Sequence, residues 1–168
     1  MARTTDMPAG IFPVWIYDVS HPVGYKWFQY RDDVLLVQYA LNKIIAKGKI
    51  LDRNGKPTPG PMGPEYPPLA ALKVDGIFGP KTHAAVVTYQ KSGSVLAAGE
   101  VDPVYEQIAK LKGDPISPRY LTAYTSLHKF TMVRLNKDIL DLYGSMMDDA
   151  DFPKEVQAAL RHQPVHAG

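Results

Sequence analysis

The run Lys73-Val74-Asp75-Gly76-Ile77-Phe78-Gly79-Pro80, continuing through Lys81-Thr82-His83-Ala84-Ala85-Val86-Val87-Thr88-Tyr89-Gln90, leaves the backbone little choice. Asp-Gly marks a tight turn because glycine tolerates positive φ, and Gly79-Pro80 sets a second flexible residue before a ring whose φ suits a first helical turn. A helix is therefore predicted from Pro80. Thr82, Ala85, Val86 and Tyr89 then recur at helical spacing on one face, with Lys81, His83 and Thr88 pointing elsewhere. Ile77 and Phe78 are expected to plug the turn into a core, because a solvated loop has no use for two adjacent large apolar residues. Gly76 and Gly79 are both expected in turn conformations that a side chain would strain.

The pattern D-G-x-F-G-P-x-T-x-x-A-V-x-x-Y-Q resembles the second half of the small helical peptidoglycan-binding module of bacterial cell-wall enzymes. Asp33-Val34, Val37-Gln38 and Leu41-Asn42 are similar to its opening helix, with Val37 where leucine is usual. Val101-Asp102-Pro103 followed by Tyr105, Ile108 and Leu111 resembles its closing helix. The resemblance covers residues 32–112 and implies a three-helix module with a wall-binding groove formed by its helices, without carrying over individual contacts. Asp75, Gly76, Phe78, Gly79, Pro80, Thr82, Gln90 and Gln38 form the structural motif.

Read in order, the chain begins with an aromatic arm over residues 1–31, holding Phe12, Trp15, Tyr17, Tyr25, Trp27, Phe28 and Tyr30. These rings either extend the core of the helical module or form a partner-binding or sugar-stacking arm. A helix capped by Asp32 or Asp33 is predicted to run to Gly48, with Lys43 and Lys47 near its negative end. The Gly- and Pro-rich stretch 48–68 is expected to be an irregular loop, with Tyr66 as an exposed ring on a stiff segment. Leu69–Leu72 is predicted to make a short helical turn.

A third helix is predicted to start at Asp102 or Pro103 and to end at Gly113. A long helix from Tyr120 to Tyr143, stopped by Gly144, shows apolar residues on two faces and so must be covered on both. A last short helix is expected over Pro153–Arg161, within a C-terminal helical extension spanning 113–168. The predicted fold is mainly α.

Chemistry is constrained by what the chain lacks. There is no His-Glu-x-x-His, no Gly-x-Ser-x-Gly, no cysteine and no phosphate-cradling loop. Of only four glutamates, Glu65, Glu100 and Glu106 fall at loops or helix starts without the partner that a two-carboxylate glycosidase needs. The expectation is a non-enzyme without cofactor or metal; Pro164 breaks the helix that would align His162 with His166. Asp75 is read either as a ligand for sugar or metal or as an acceptor of turn amides, the second being the local preference of Asp before Gly. Gln38, Asn42 and Gln90 are expected to stitch helix to helix. Lys81, His83 and Tyr105, with Tyr66, are the candidate ligand contacts, chosen for exposure; Phe12, Trp15, Trp27 and Phe130 are the candidate interface residues.

The net charge of +2 over 168 residues, without a basic block interleaved with aromatics, gives no nucleic-acid footprint. No run is long enough to span a bilayer. The apolar segment Ile11–Tyr17 is too short and broken for a signal peptide; if the chain is full length, the expected routes to the envelope are lysis, a dedicated secretion machine or a phage-like particle, the alternative being that a signal peptide has been removed. Two functions follow: a non-catalytic peptidoglycan-binding module, or a structural or adaptor subunit of a phage-tail-like or secretion assembly that uses the module for protein contacts, with self-association or a protein partner.

Overall fold

Nine of the residues between Asp33 and Ile44 are buried, Asp33 through Gln38 in unbroken succession, so the helix that contains them cannot lie on a surface. This helix, α1 (Arg31–Ala46), is the central element. The computed structural model describes residues 2–7, 15–46, 49–51, 57–59, 70–92, 99–111, 130–145 and 149–160. Helix accounts for 56% of them, which makes the fold mainly α, and the strands form only two-stranded sheets. The further helices are α2 (Pro80–Ser92), α3 (Val104–Leu111), α4 (Thr131–Tyr143) and α5 (Lys154–Leu160). Among the described residues no helix is long and apolar enough to cross a membrane.

The N-terminal segment is part of the core. Strands β1 (Arg3–Asp6) and β2 (Trp15–Asp18) pair antiparallel, with Thr5 opposite Ile16, and Ile16, Tyr17 and Val19 are buried. Helix α4 seals the strand: Asn136 Oδ1 accepts the Tyr17 amide at 2.9 Å, and its Nδ2 donates to the Tyr17 carbonyl at 2.9 Å. Phe152 fits between the rings of Tyr17 and Tyr39, edge-on to each at 4.8 Å. One core cluster thus runs from Ala2 to Leu160, shared by the arm, the central segment and the C-terminal extension.

Where expectation and structure differ, long-range packing gives the reason. Asp32 and Asp33 sit inside the first turn of α1 rather than capping it. Asp32 Oδ2 accepts the Ala2 amide at 2.9 Å, while Asp33 accepts the Ser20 and His21 amides at 3.0 and 3.1 Å, so both carboxylates fasten the arm. The 48–68 stretch is not wholly irregular: β3 (Lys49–Leu51) and β4 (Pro57–Pro59) pair antiparallel. Pro57 and Pro59 stand at alternate positions, so both missing donors fall on the same side of the strand. Residues 70–74 form no helical turn. The predicted long helix does not run unbroken from Tyr120 to Tyr143: Phe130 is extended (φ −75°, ψ 133°) and α4 begins only at Thr131, while residues 120–129 lie outside the described residues. The apolar surface of α4 is covered from within the chain by α1 and β2. Gly144, at φ 74°, ends it as predicted, its amide donating to the Leu140 carbonyl.

Polar bonds between buried groups tie α2 to α4. Tyr89 Oη donates to Asp138 Oδ2 at 2.5 Å, and Arg134 Nε donates to the same oxygen at 3.3 Å. Burial, and then the Asp138 charge, pushes the Tyr89 phenol well above its ordinary range, so it stays a donor.

Candidate binding surface

The Asp75-Gly76 turn is built by α1. Gln38 Oε1 accepts the amides of Asp75 and Gly76 at 3.1 and 2.9 Å, while its Nε2 meets Asp75 Oδ1, the Ile77 carbonyl and Thr82 Oγ1 at 3.1–3.2 Å. Asp75 Oδ1 also accepts the Ile77 amide at 3.0 Å, and that bond, followed by the one from Gln38, holds the carboxyl below its usual range. Asp75 is thus engaged as a turn acceptor. Asn42 pairs both ways with the Leu72 backbone at 2.8 and 2.7 Å, and Gln90 bonds the Glu100 carbonyl, Thr131 Oγ1 and the Gly99 amide. Gln38 and Gln90 thus join helix to helix, through Thr82 and Thr131, as expected, whereas Asn42 ties α1 to the non-helical backbone at Leu72.

The two glycines of the motif part company. Gly76 has φ 74°, and a Cβ there would stand 2.6 Å from Arg31 Cγ; Gly79 lies outside the positive-φ region with open space around it. The expectation of strain therefore holds for Gly76 only, since the Gly79 carbonyl simply accepts the His83 amide at the start of α2. Gly76→Val is expected to lower stability by about 1–3 kcal/mol, and Gly79→Ala by less than about 1 kcal/mol. Denaturant melts of the two variants check this.

Phe78 is buried as predicted, but Ile77 is 61% exposed, because the turn puts successive side chains on opposite sides. Ile77 faces a groove of about 420 Å³. Leu72, Ile77 and Pro80 give it apolar walls, Gln38 and Thr82 are its buried polar groups, and Lys73 and Lys81 supply its cations. Both lysines are exposed.

On the other side of the same turn stands an aromatic ridge. Tyr25, Trp27, Phe28 and Tyr30, with Ile77, are the exposed large hydrophobic residues among those described. The ridge segment is fixed at both ends. Val23 and Val101 exchange backbone hydrogen bonds at 2.9 Å, and Gln29 bonds both the amide and the carbonyl of Phe78, at 3.0 and 3.2 Å. Glu100 receives Trp27 Nε1 at 3.1 Å and Lys26 Nζ at 2.9 Å. Burial opposes the Glu100 charge, but these two bonds outweigh it and hold the carboxyl below its usual range. Tyr25 lies edge-on to Phe78 at 5.3 Å and 4.8 Å from the His83 ring, while Tyr30 stacks on His21 at 3.7 Å.

The candidate contacts from sequence do not form one surface. Lys81 lines the groove, and His83 packs behind Tyr25 and against Gly99, where a Cβ would come within 2.5 Å of its Nε2. Tyr105 belongs elsewhere: its hydroxyl donates to the Ser20 carbonyl at 3.1 Å and the Arg3 guanidinium lies 4.0 Å over its ring. Tyr66 and Phe12 lie outside the described residues. Of the interface candidates, Trp15 and Phe130 are half-buried against the core, which favours core extension for them, whereas Trp27 is exposed. Sequence reasoning passed over Lys73 and the exposed role of Tyr25, Phe28 and Tyr30. Their signal was four rings in six residues between Gly24 and the start of α1, too short a segment to fold back and bury them all. Among the described residues, no group of three or more His, Asp or Glu could hold a metal ion.

No protein-family model, curated protein or solved structure matches the chain.

Proposed function

We propose that this chain is a non-catalytic binding module for peptidoglycan, with α1, α2 and α3 as the helices of the resembled module, acting at the cell envelope or in a phage-like particle. The observation that carries the reading is the groove beside the motif turn, which presents Lys73 and Lys81 over apolar walls. Two exposed ammonium groups beside apolar walls, with Asp75 the lining carboxylate and already engaged in its turn, suit a ligand with carboxylates on a partly apolar frame, as wall peptides are. The turn that shapes the groove is held by Gln38, so the site exists before ligand arrives and loses little freedom on binding.

The test is sedimentation with purified sacculi. Wild-type protein is expected to sediment, and Lys73→Ala with Lys81→Ala is expected to reduce retention about fivefold, as for two exposed ionic contacts. Tyr105→Ala should leave retention unchanged, because its ring serves Ser20 and Arg3. A wild type that stays in the supernatant at low salt would sink the proposal.

A further inference from the structure

We infer that the aromatic ridge is a platform for the neutral sugar strand of the same polymer, so that glycan rings stack on Tyr25, Trp27 and Phe28 while charged branches reach the lysine groove. This rests on the wall-binding reading and adds to it which part of the ligand goes where.

Three observations carry it. Both cations of the ridge segment are committed: Lys26 is paired with Glu100 at 2.9 Å and Arg31 with Glu155 at 2.7 Å. What remains exposed is largely aromatic, with Phe28, Tyr25 and Trp27 all exposed and Lys26 Nζ standing 5.5 Å over the Trp27 ring. That is the complement of a pyranose, which has an apolar C–H face and a rim of hydroxyl or acetamido groups. Secondly, the rings are positioned without ligand. The Trp27 indole is held by Glu100, whose Cγ would lie 3.0 Å from a Cβ at Gly24, so a side chain at that position would crowd the glutamate. A shallow polar ligand gains few contacts per sugar, and rigid rings spare it the cost of ordering loose ones. Thirdly, ridge and groove are two sides of one turn: Ile77 lines the groove, and its neighbour Phe78 is bonded by Gln29 and touched by Tyr25. A polymer with a neutral backbone and carboxylate-bearing branches can occupy both at once.

The probe is a hexamer of β-1,4-linked N-acetylglucosamine, which carries no peptide, titrated into the full chain while tryptophan emission is read. Trp15→Phe isolates the signal of Trp27. The hexamer is expected to perturb the emission saturably. Tyr25→Ala with Phe28→Ala should weaken it about tenfold, the loss of two stacked rings, and Lys73→Ala with Lys81→Ala should leave it unchanged. Retention on sacculi should fall in both double variants. If sacculi retain the wild type but the hexamer does not titrate, and the ring variant is retained as well as wild type, the ridge assignment is overturned while wall binding stands. If neither ligand binds, both fall. Should light scattering instead show a wild-type oligomer that Phe28→Ala dissociates, the ridge is a protein contact and the glycan assignment is wrong. All of the substituted ridge residues are exposed, and an unchanged circular dichroism melt confirms that loss of binding is not loss of fold.

Discussion

Asp18→Ala is expected to lower the free energy of unfolding by about 2–4 kcal/mol at neutral pH, from the donors it would leave buried and unmet. The carboxylate is fully buried at the end of β2, yet it caps a helix far away in sequence. It accepts the Val104 amide at 3.0 Å and the Tyr105 amide at 3.0 Å, the first N–H groups of α3, together with Thr5 Oγ1 at 3.0 Å and the Val19 amide at 2.9 Å. Helix α3 has eight residues, too few to hold itself together in water, so its position depends on this external cap. Asp18→Asn keeps one acceptor oxygen and should be intermediate.

The same residue gives the fold an unusual response to acid. Burial is the larger influence and its hydrogen bonds oppose it, leaving the carboxyl raised from 3.8 to about 6. Between these values the folded chain holds a proton that the unfolded chain releases, so stability from this group is complete below about pH 4 and is lost as pH rises through about 6. The Asp18→Ala cost should therefore grow by about 2 kcal/mol on going from pH 7 to pH 4. Asp33 and Asp138, each raised by burial before anything else, add to the same slope, while Asp75 and Glu100, held low, oppose it at the acid end. Urea melts of wild type and variant at both pH values read the difference directly. A cost that stays flat or shrinks in acid would show that Asp18 is not the buried, proton-binding cap described.

Local features were legible in the sequence to the extent that local chemistry decides them. The buried face Thr82, Ala85, Val86 and Tyr89 follows from helical spacing alone, and the stop at Gly144 from the freedom of glycine at positive φ. Gln38 and Asn42 were legible as stitching residues because polar side chains on the buried side of an apolar helix must find backbone partners. What was hidden depends on contacts between distant segments. Nothing near Asp18 says that it caps α3, and nothing near Trp15 and Tyr17 distinguishes them from Tyr25 and Trp27, although the first pair joins the core and the second stands outside. The two apolar faces expected over Tyr120–Tyr143 read as a demand for an external partner; within α4, the described portion, β2 and α1 meet that demand because the N-terminal segment folds inward. The groove was half legible: Lys81 was found by its exposure, Lys73 was not, and the outward turn of Ile77 required the geometry of Gly76.

Gln38→Leu is expected to cost about 2–4 kcal/mol, since it strands the buried amide of Gly76 and removes the acceptor of Asp75 N at a stroke. It should also reduce sacculus retention more than its effect on folding explains, because the turn that holds Ile77 and Lys73 beside the groove loses its support. Gln38→Glu separates the two halves of the amide. The new carboxylate can still accept the Asp75 and Gly76 amides, but it cannot donate to the Ile77 carbonyl or Thr82, and it faces Asp75 Oδ1, which lies 3.2 Å from the present Nε2. Two carboxylates that close disfavour joint ionisation, so one of them takes up a proton more readily than either would alone. At neutral pH the glutamate variant should thus be no more stable than the leucine one, whereas near pH 4 a shared proton restores the missing donor and the glutamate variant should be the more stable. Melts of the two variants at both pH values give four midpoints. An order that does not change between them would mean that the Asp75-Gly76 turn is held by something other than the Gln38 amide.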